Sequence, residues 1–255
     1  MYREDNNNDK IKGFVKKAGK GILCFLATLG ILFALLFFAC CIPKYKIRDN
    51  MLESANYLLE NEDLFHQLKP GDRRTEIHNY ADATTLNILY SVDGKNLLWE
   101  VVMSPFYSDK MNLEKSVTEL LTERIRFERP TDTLYDRYWH GMIMLLKPLF
   151  LLFTLQQVRW IFTGTLIVCM LILTMMLVRQ KQYLSTILLW LGALSVQFWM
   201  AGFCIEYFPV FLITFLSSVC MVLWEEKRER IIQLCIVSGV CVAFFDFLTT
   251  ETLAF

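Results

Sequence analysis

The chain has 255 residues, of which 55% are hydrophobic and 14% aromatic, and its mean hydropathy is +0.36. It is far more apolar than an ordinary soluble domain, so its composition favours an integral membrane protein. The 26 basic and 26 acidic residues balance each other. This balance excludes the basic footprint of a nucleic-acid-binding protein, and no nucleic-acid partner is predicted.

The cysteines point away from metal and redox chemistry. All eight lie in or beside apolar runs, and none falls between Pro43 and Trp139. No two of them have the C-x-x-C spacing of a zinc or redox site. They are therefore interpreted as small buried hydrophobic residues, and no disulfide framework, metal centre or cofactor is predicted.

The N-terminal segment is predicted to form a cytoplasmic flank followed by the first transmembrane span. Residues 1–20 are rich in lysine and precede an uninterrupted apolar run at residues 21–42. At about 1.5 Å per residue this run crosses a hydrocarbon core of about 30 Å. The basic flank predicts a cytoplasmic N-terminus, with residues 21–42 as the first transmembrane helix. A cleaved signal peptide and a lipoprotein box at residues 37–40 are alternatives. The length of the run and the absence of a small-residue cleavage site disfavour the signal peptide. Bulky aromatic residues where small or aliphatic ones belong disfavour the lipoprotein box.

Residues 43–140 form the long polar segment and are predicted to be an external, mostly helical region. Asn50 and Glu53 have the spacing of a capping box, which predicts that a helix begins there. The apolar positions from Leu113 to Ile125 follow a helical period and predict an amphipathic helix. Because the segment has few apolar residues, it is expected to lie against the membrane surface without a large core of its own.

Further apolar runs occupy residues 142–155, 160–178, 183–203, 207–224 and 231–248. The first run is short and carries Lys147 and Pro148 in its middle. If it does not cross the membrane, the basic clusters at residues 179–181 and 227–230 both fall in the cytoplasm, as the positive-inside rule requires.

Residues 141–156 are therefore predicted to form a re-entrant or interfacial helix on the external side, and residues 159–255 a four-helix transmembrane region. The predicted fold is an all-α integral membrane protein with about five transmembrane helices, its N-terminus inside and its C-terminus outside.

One stretch carries a resemblance to a known family. Tyr138-Trp139-His140-Gly141 through Leu155 is similar to an aromatic-rich helix, and Gln157-Val158-Arg159-Trp160 through Arg179 to the span that follows it, with Gly164 at a small-residue position. With the long external segment, this layout resembles the N-terminal part of GT-C type membrane glycosyltransferases. Residues 79–83 also resemble an Asn-Tyr-x-Asp-Ala segment of uncharacterised bacterial membrane proteins.

The resemblance implies a GT-C-like fold and transfer of a sugar from a polyprenyl-phosphate carrier at the external membrane face, in cell-envelope polysaccharide or glycoconjugate synthesis. The family usually places an acidic pair shortly after the first span and has more spans than the five predicted here. In this chain the region after the first span offers only Asp49 with Asn50, and Asp82 lies much further on. The smaller number of spans is what a truncated member lacking activity would show.

Such a transfer needs a carboxylate as general base and cations that stabilise the departing phosphate. Asp82 and Asp49 are the candidate bases. The alternative for Asp82 is a helix N-cap, and for Asp49 a solvated charge beside the membrane. The candidate ligands of the lipid phosphate are Arg137, His140, Lys147, Arg159 and Asp246.

The alternative for these cations is interfacial anchoring, since such anchors occur at most span ends. Asp246 lies among phenylalanines and must find a partner, a cavity or the nearby interface.

Two functions of different classes follow. The first is a GT-C-like glycosyltransferase with a membrane lipid, a polyprenyl-phosphate sugar, as its partner. The second is a non-enzymatic scaffold or assembly factor that binds a partner or a lipid through its external helices. A transporter is disfavoured because the sequence lacks inverted repeats and paired broken helices. An open cleft with a carboxylate beside cations would favour the enzyme, and a fully packed external layer the scaffold.

Overall fold

The computed structural model describes residues 2–61, 65–67, 71, 76–94, 96–111, 114–136, 139–224 and 227–245. Most of these residues are α-helical, which confirms the predicted all-α class. The α-helices are α1 (Tyr2–Cys40), α2 (Lys44–Glu60), α3 (Asn79–Ser91), α4 (Leu97–Met103), α5 (Val117–Arg126), α6 (Ile143–Leu149), α7 (Leu155–Arg179), α8 (Tyr183–Ser195), α9 (Phe208–Leu223) and α10 (Arg228–Phe245). A 3₁₀ helix spans Phe198–Phe203.

Two short antiparallel strand pairs lie between the helices from α2 to α6. Strand β1 (Phe65–Gln67) pairs with β2 (Glu76–His78), and β3 (Pro105–Phe106) pairs with β4 (Thr133–Leu134). The register places Phe65 opposite His78 and Pro105 opposite Leu134. The first pair leads directly into α3, so it fixes the point at which that helix begins.

Within the described residues, two helices are long and apolar enough to cross a membrane: Lys12–Cys40 of α1, and α7. Membrane-crossing length and apolarity are thereby confirmed for two of the five predicted spans. The predicted run at residues 183–203 is not one helix. Helix α8 ends at Ser195, and Gln197 takes a left-handed conformation with φ of 49° before the 3₁₀ helix. Helix α9 has 16 residues, about 24 Å at 1.5 Å per residue.

Helix α6 is shorter than the predicted helix at residues 141–156. Its 7 residues end at Leu149, one position after Pro148, and give a length of roughly 10 Å, far below the ~30 Å hydrocarbon core. It packs against α1 and α3. Helix α7 begins at Leu155, a full turn before the predicted start at Arg159. That extra turn brings Arg159 inside the helix and against α3.

The segment at residues 43–140 packs around one of its own helices. Helix α3 is buried on every face from Ala81 to Ser91, because α2 and α5 cover its sides and α6 lies against it. The buried side chains around it include Ile47, Met51, Ala55, Leu58, Leu121 and Ile125. The same apolar cluster continues into α1 and α7, so the segment shares a core with the apolar helices.

The two predicted helix starts have opposite outcomes. Helix α2 begins at Lys44 after Pro43, so the capping box predicted at Asn50 is wrong; the Asn50 Nδ2 donates instead to the carbonyl of Phe150 at 2.9 Å. The amphipathic helix α5 is confirmed, with the predicted position Leu113 outside the described residues. A capping box opens it, in which Ser116 Oγ accepts from Glu119 N at 3.2 Å.

Candidate functional site

An ion pair joins α3 to α7 in the interior of the molecule. Asp82 lies in the first turn of α3, and Arg159 lies in the second turn of α7. Two nitrogens of Arg159, Nη2 and Nε, approach Asp82 Oδ2 at 2.6 and 3.1 Å. Nη2 also donates to Asn79 Oδ1 at 2.9 Å. Asp82 is 0% exposed and Arg159 is 1% exposed, so this polar contact excludes water.

The second oxygen of Asp82 is also occupied. Its Oδ1 accepts from the backbone N–H of Ile205 at 3.0 Å. The N-cap interpretation of Asp82 is therefore wrong, because α3 begins at Asn79 and Asp82 bonds a distant turn. Burial raises the pKa of Asp82, while the Arg159 guanidinium and the N–H of Ile205 act in the opposite direction. The carboxylate is enclosed and is not presented to an approaching substrate.

A second charged contact lies beside this pair, on residues that were not among the predicted candidates. His78 Nδ1 lies 2.9 Å from Glu206 Oε1, and Glu206 is buried between the 3₁₀ helix and α9. The hydrogen bond to Glu206 raises the pKa of His78, against the opposing effect of burial. Glu206 gives a weak sequence signal, a carboxylate in the short gap between two apolar runs. His78 gives no such signal, because it is simply the last residue of a short strand.

One nitrogen of the Arg159 guanidinium, Nη1, takes no part in these hydrogen bonds. Among the described residues, Nη1 is buried without a hydrogen-bond acceptor. The guanidinium carbon lies 6.0 Å from the centroid of the Tyr57 ring, at the outer limit of a cation–π contact. The ring of Tyr57 therefore closes the remaining side of the cluster formed by Asn79, Asp82 and Arg159.

Lys147 is enclosed as well, and it binds backbone rather than a surface ligand. Its Nζ donates to the carbonyl of Val92 at 2.8 Å and to that of Cys40 at 3.2 Å. Cys40 is the last residue of α1, and Val92 directly follows α3. The last carbonyls of a helix lack internal partners, so the lysine caps two helix ends at once. Burial lowers its pKa.

Among the described residues, two further predicted site residues, His140 and Asp49, do not join Asp82 and Arg159. His140 is buried, with its Nε2 2.8 Å from the carbonyl of Tyr135, and burial lowers its pKa to about 4. Asp49 is exposed, on the face of α2 opposite to its buried residues. Arg137 and Asp246 lie outside the described residues.

An open polar groove, lined by residues between Lys44 and Thr131, was not predicted. Its cavity measures about 230 Å³. Its lining residues are Lys44, Ser91, Asp93, Trp99, Glu100, Pro105, Arg124, Glu128, Pro130 and Thr131. Beyond Trp99 and Thr131 it continues into a second cavity of about 460 Å³ that Lys110 and Asp132 line. We call this surface the Trp99 groove.

Charged groups of both signs line the Trp99 groove. Lys44 Nζ lies 2.6 Å from Glu128 Oε2. Arg124 is almost fully buried, donates its Nε to Ser91 Oγ at 3.2 Å and lies 5.5 Å from the Tyr90 ring. Lys44 and Glu128 are 84 residues apart in sequence. Because of this separation, helix periodicity alone predicts two separate solvated charges.

Comparison of this chain with protein-family models, curated proteins and solved structures gives no match.

Proposed function

We propose that the chain is a multi-pass membrane protein with a non-enzymatic role, a scaffold or assembly factor whose external helices bind a partner. The observation that carries this proposal is the enclosure of Asp82 by Arg159 and the N–H of Ile205. A general base must come within hydrogen-bond reach of the proton that it removes. The other candidate base, Asp49, stands alone on the outer face of α2.

The proposed membrane arrangement has five spans, with the N-terminus in the cytoplasm and residues 43–140 outside. Helices α7, α9 and α10 pack side by side, and α1 packs against α10. Helix α8 lies beside α7, and the 3₁₀ helix continues its path. This arrangement puts Arg179, Lys181 and Lys227 on the cytoplasmic side, in agreement with the positive-inside rule.

The Trp99 groove is the proposed docking surface for the partner. Helix α4 presents Leu98, Trp99 and Val102 at 62%, 44% and 45% exposure. Tryptophan and arginine are enriched among the residues that dominate binding energy at protein interfaces. A partner protein segment with one aromatic or aliphatic anchor and charges of both signs would match Trp99, Arg124 and Glu128.

A second candidate function, GT-C-like sugar transfer, is favoured by the same groove. Glu128 stands in an open cavity beside Lys44 and Arg124, the combination of carboxylate and cations that the reaction needs. The pKa of Glu128 is lowered: desolvation acts to raise it, but the hydrogen bonds from Lys44 and Tyr90 act in the opposite direction. A lowered pKa makes a carboxylate a weaker base, so the scaffold remains the primary proposal.

A transfer assay separates the two functions. The purified chain in nanodiscs is incubated with a polyprenyl-phosphate-linked hexose and a cell-envelope extract that supplies hydroxyl acceptors. In a transfer the acceptor oxygen takes the sugar and gives its proton to the base, and polyprenyl phosphate leaves; its release is measured. We expect no more release than from empty nanodiscs. Release that disappears in Glu128→Gln and persists in Asp49→Asn would replace the scaffold with the transferase.

Site-specific photo-crosslinking tests the docking surface in cells. A photoreactive amino acid at Leu98 should give one discrete adduct, and the same group at the exposed Lys46 of α2 should give none. Trp99→Ala should abolish the adduct at position 98. Equal adducts at both positions would show that the groove is not selective and would contradict the scaffold proposal.

A further inference from the structure

A groove of different character lies between α1 and α10, far from the external layer. Its cavity measures about 320 Å³. Its lining residues are Lys17, Lys20, Gly21, Glu229, Ile232, Gln233 and Ile236. A Cβ at Gly21 would lie 3.4 Å from Ile236 Cδ1, an ordinary van der Waals contact, so these two residues face each other across the groove and a larger side chain at position 21 would fill it.

The groove lies between the middle of α1 and the N-terminal end of α10, and the two helices run in the same direction. Lys17 and Gly21 of α1 face Glu229 and Ile236 of α10. At the other end of the pair, the ring of Trp139 stacks on Phe244 of α10 at 6.0 Å and contacts Phe33 of α1 at 6.4 Å. The groove therefore opens where both helices change from charged to apolar.

The chemistry of the lining changes along the groove in the same direction. The two lysines stand at the end of the basic segment of α1, and Gly21 is the first residue of the apolar run. Ile232 and Ile236 form an apolar wall deeper along α10. In a bilayer this change of polarity marks the boundary between the phosphate layer and the hydrocarbon.

We infer that the α1–α10 groove binds an anionic glycerophospholipid. The phosphate lies between Lys17 and Lys20, and the glycerol and first acyl carbons lie along Ile232 and Ile236. Two ammonium groups oppose the single carboxylate of Glu229, so the described lining keeps one positive charge that an anionic head group neutralises and a zwitterionic one does not. The site is independent of the partner that the external layer binds.

The volume fits this occupant. Sites for small ligands run from about 300 to 1,000 Å³, and the groove lies at the lower end of that range. It holds a head group and the start of an acyl chain, while the rest of the chain extends over the exposed apolar surface of α1, where Ile22 and Leu23 are 62% and 68% exposed. Such an open end suits a lipid better than a compact soluble anion.

Native mass spectrometry of the full chain tests the site. The protein is reconstituted in an equimolar mixture of phosphatidylglycerol and phosphatidylcholine, extracted in mild detergent, and the lipids retained per chain are counted. We expect preferential retention of one phosphatidylglycerol. The double variant Lys17→Gln/Lys20→Gln should lower that retention by about tenfold, since each lysine near an anionic lipid contributes to binding.

Two further variants keep the test specific. Lys12→Gln/Lys16→Gln removes the same charge from the same helix outside the groove and should leave retention unchanged. Gly21→Leu changes no charge but fills the groove against Ile236 and should lower retention; its thermal unfolding temperature checks that it is folded. Equal loss in both lysine double variants, or equal retention of the two lipids by the native chain, would overturn the proposal.

Discussion

The Nη2 of Arg159 lies 2.6 Å from the Oδ2 of Asp82 and joins the second turn of α7 to the first turn of α3 across 77 residues of sequence. The pair fastens the layer formed by α2, α3 and α5 to a helix that is long and apolar enough to cross a membrane. Both groups are buried, so removal of either one leaves the other as an unpaired charge out of contact with water. The pair therefore acts as a structural joint between the two regions.

Asp82→Asn should lower the free energy of unfolding by about 3–5 kcal/mol, because it leaves the buried charge of Arg159 uncompensated. Arg159→Met should lower it by a similar amount, because it leaves the buried charge of Asp82 uncompensated. The double variant should recover most of the loss, since replacement of a whole buried pair is often neutral. Chemical denaturation in detergent micelles measures the three values. Asp49→Asn, at an exposed position, should stay within about 0.5 kcal/mol of the native chain. A stable Asp82→Asn variant would show that the joint is dispensable.

His140 should make the protein less stable in acid. Burial lowers its pKa from 6.5 to about 4, so between these values the unfolded chain binds more protons than the folded chain. The free energy of unfolding should then fall as the pH drops from 6.5 to 4, by roughly 3 kcal/mol in total at 1.36 kcal/mol per pKa unit.

Denaturation of the native chain and of His140→Asn across this pH range measures the effect of His140 as a difference. Asparagine does not titrate, and it tolerates the φ of 50° at this position. The comparison also cancels His78, whose raised pKa acts with the opposite sign. Parallel curves for the two proteins would rule out a contribution from His140.

Gly202 and Gly164 should respond in opposite ways to alanine. A Cβ at position 202 would overlap the backbone N and Cα of Thr163, so Gly202→Ala should cost about 1–3 kcal/mol through overpacking. A Cβ at Gly164 meets no atom within 4 Å. Gly164→Ala should stabilise α7 by about 0.5–1 kcal/mol. Thermal unfolding of the two variants measures both effects, and equal shifts would contradict the prediction.

The five-span arrangement predicts a pattern of thiol labelling. In intact cells a membrane-impermeant maleimide should label Cys41, which is exposed at the end of α1, and should not label Lys227→Cys. Both thiols should react after the cells are lysed, and mass-spectrometric mapping of the labelled peptides identifies each position. Labelling of Lys227→Cys before lysis would contradict the arrangement.

Local patterns in the sequence predict local structure well in this chain. Helix α5 is predicted correctly because its apolar period lies within one short segment, and its cap joins Ser116 to a residue only three positions away. The start of α2 is predicted wrongly because Asn50 has the local spacing of a cap but serves a carbonyl 100 residues away. Gln197 interrupts the apolar run at residues 183–203 because its φ is left-handed. Hydropathy carries no information on backbone angles, so this break is not predicted.

The candidate site was predictable in part. Asp82 and Arg159 were both proposed from the sequence, but as parts of a reactive surface. Their pairing depends on the extra turn of α7 and on the burial of α3 on all sides, which are properties of the packing. Lys147 was expected at a head group because a lysine within an apolar run commonly reaches an interface. Its actual partners are two backbone carbonyls, and no sequence pattern marks those.

The double cap formed by Lys147 has a consequence for biosynthesis. The lysine follows Cys40 by 107 residues, so at about 5–20 residues per second the ribosome adds it roughly 5–20 seconds after the end of α1 has been made. The carbonyl of Val92 waits about half as long, because Lys147 follows it by 55 residues. The two helix ends are therefore closed only after the chain has been made as far as α6 and has returned to them.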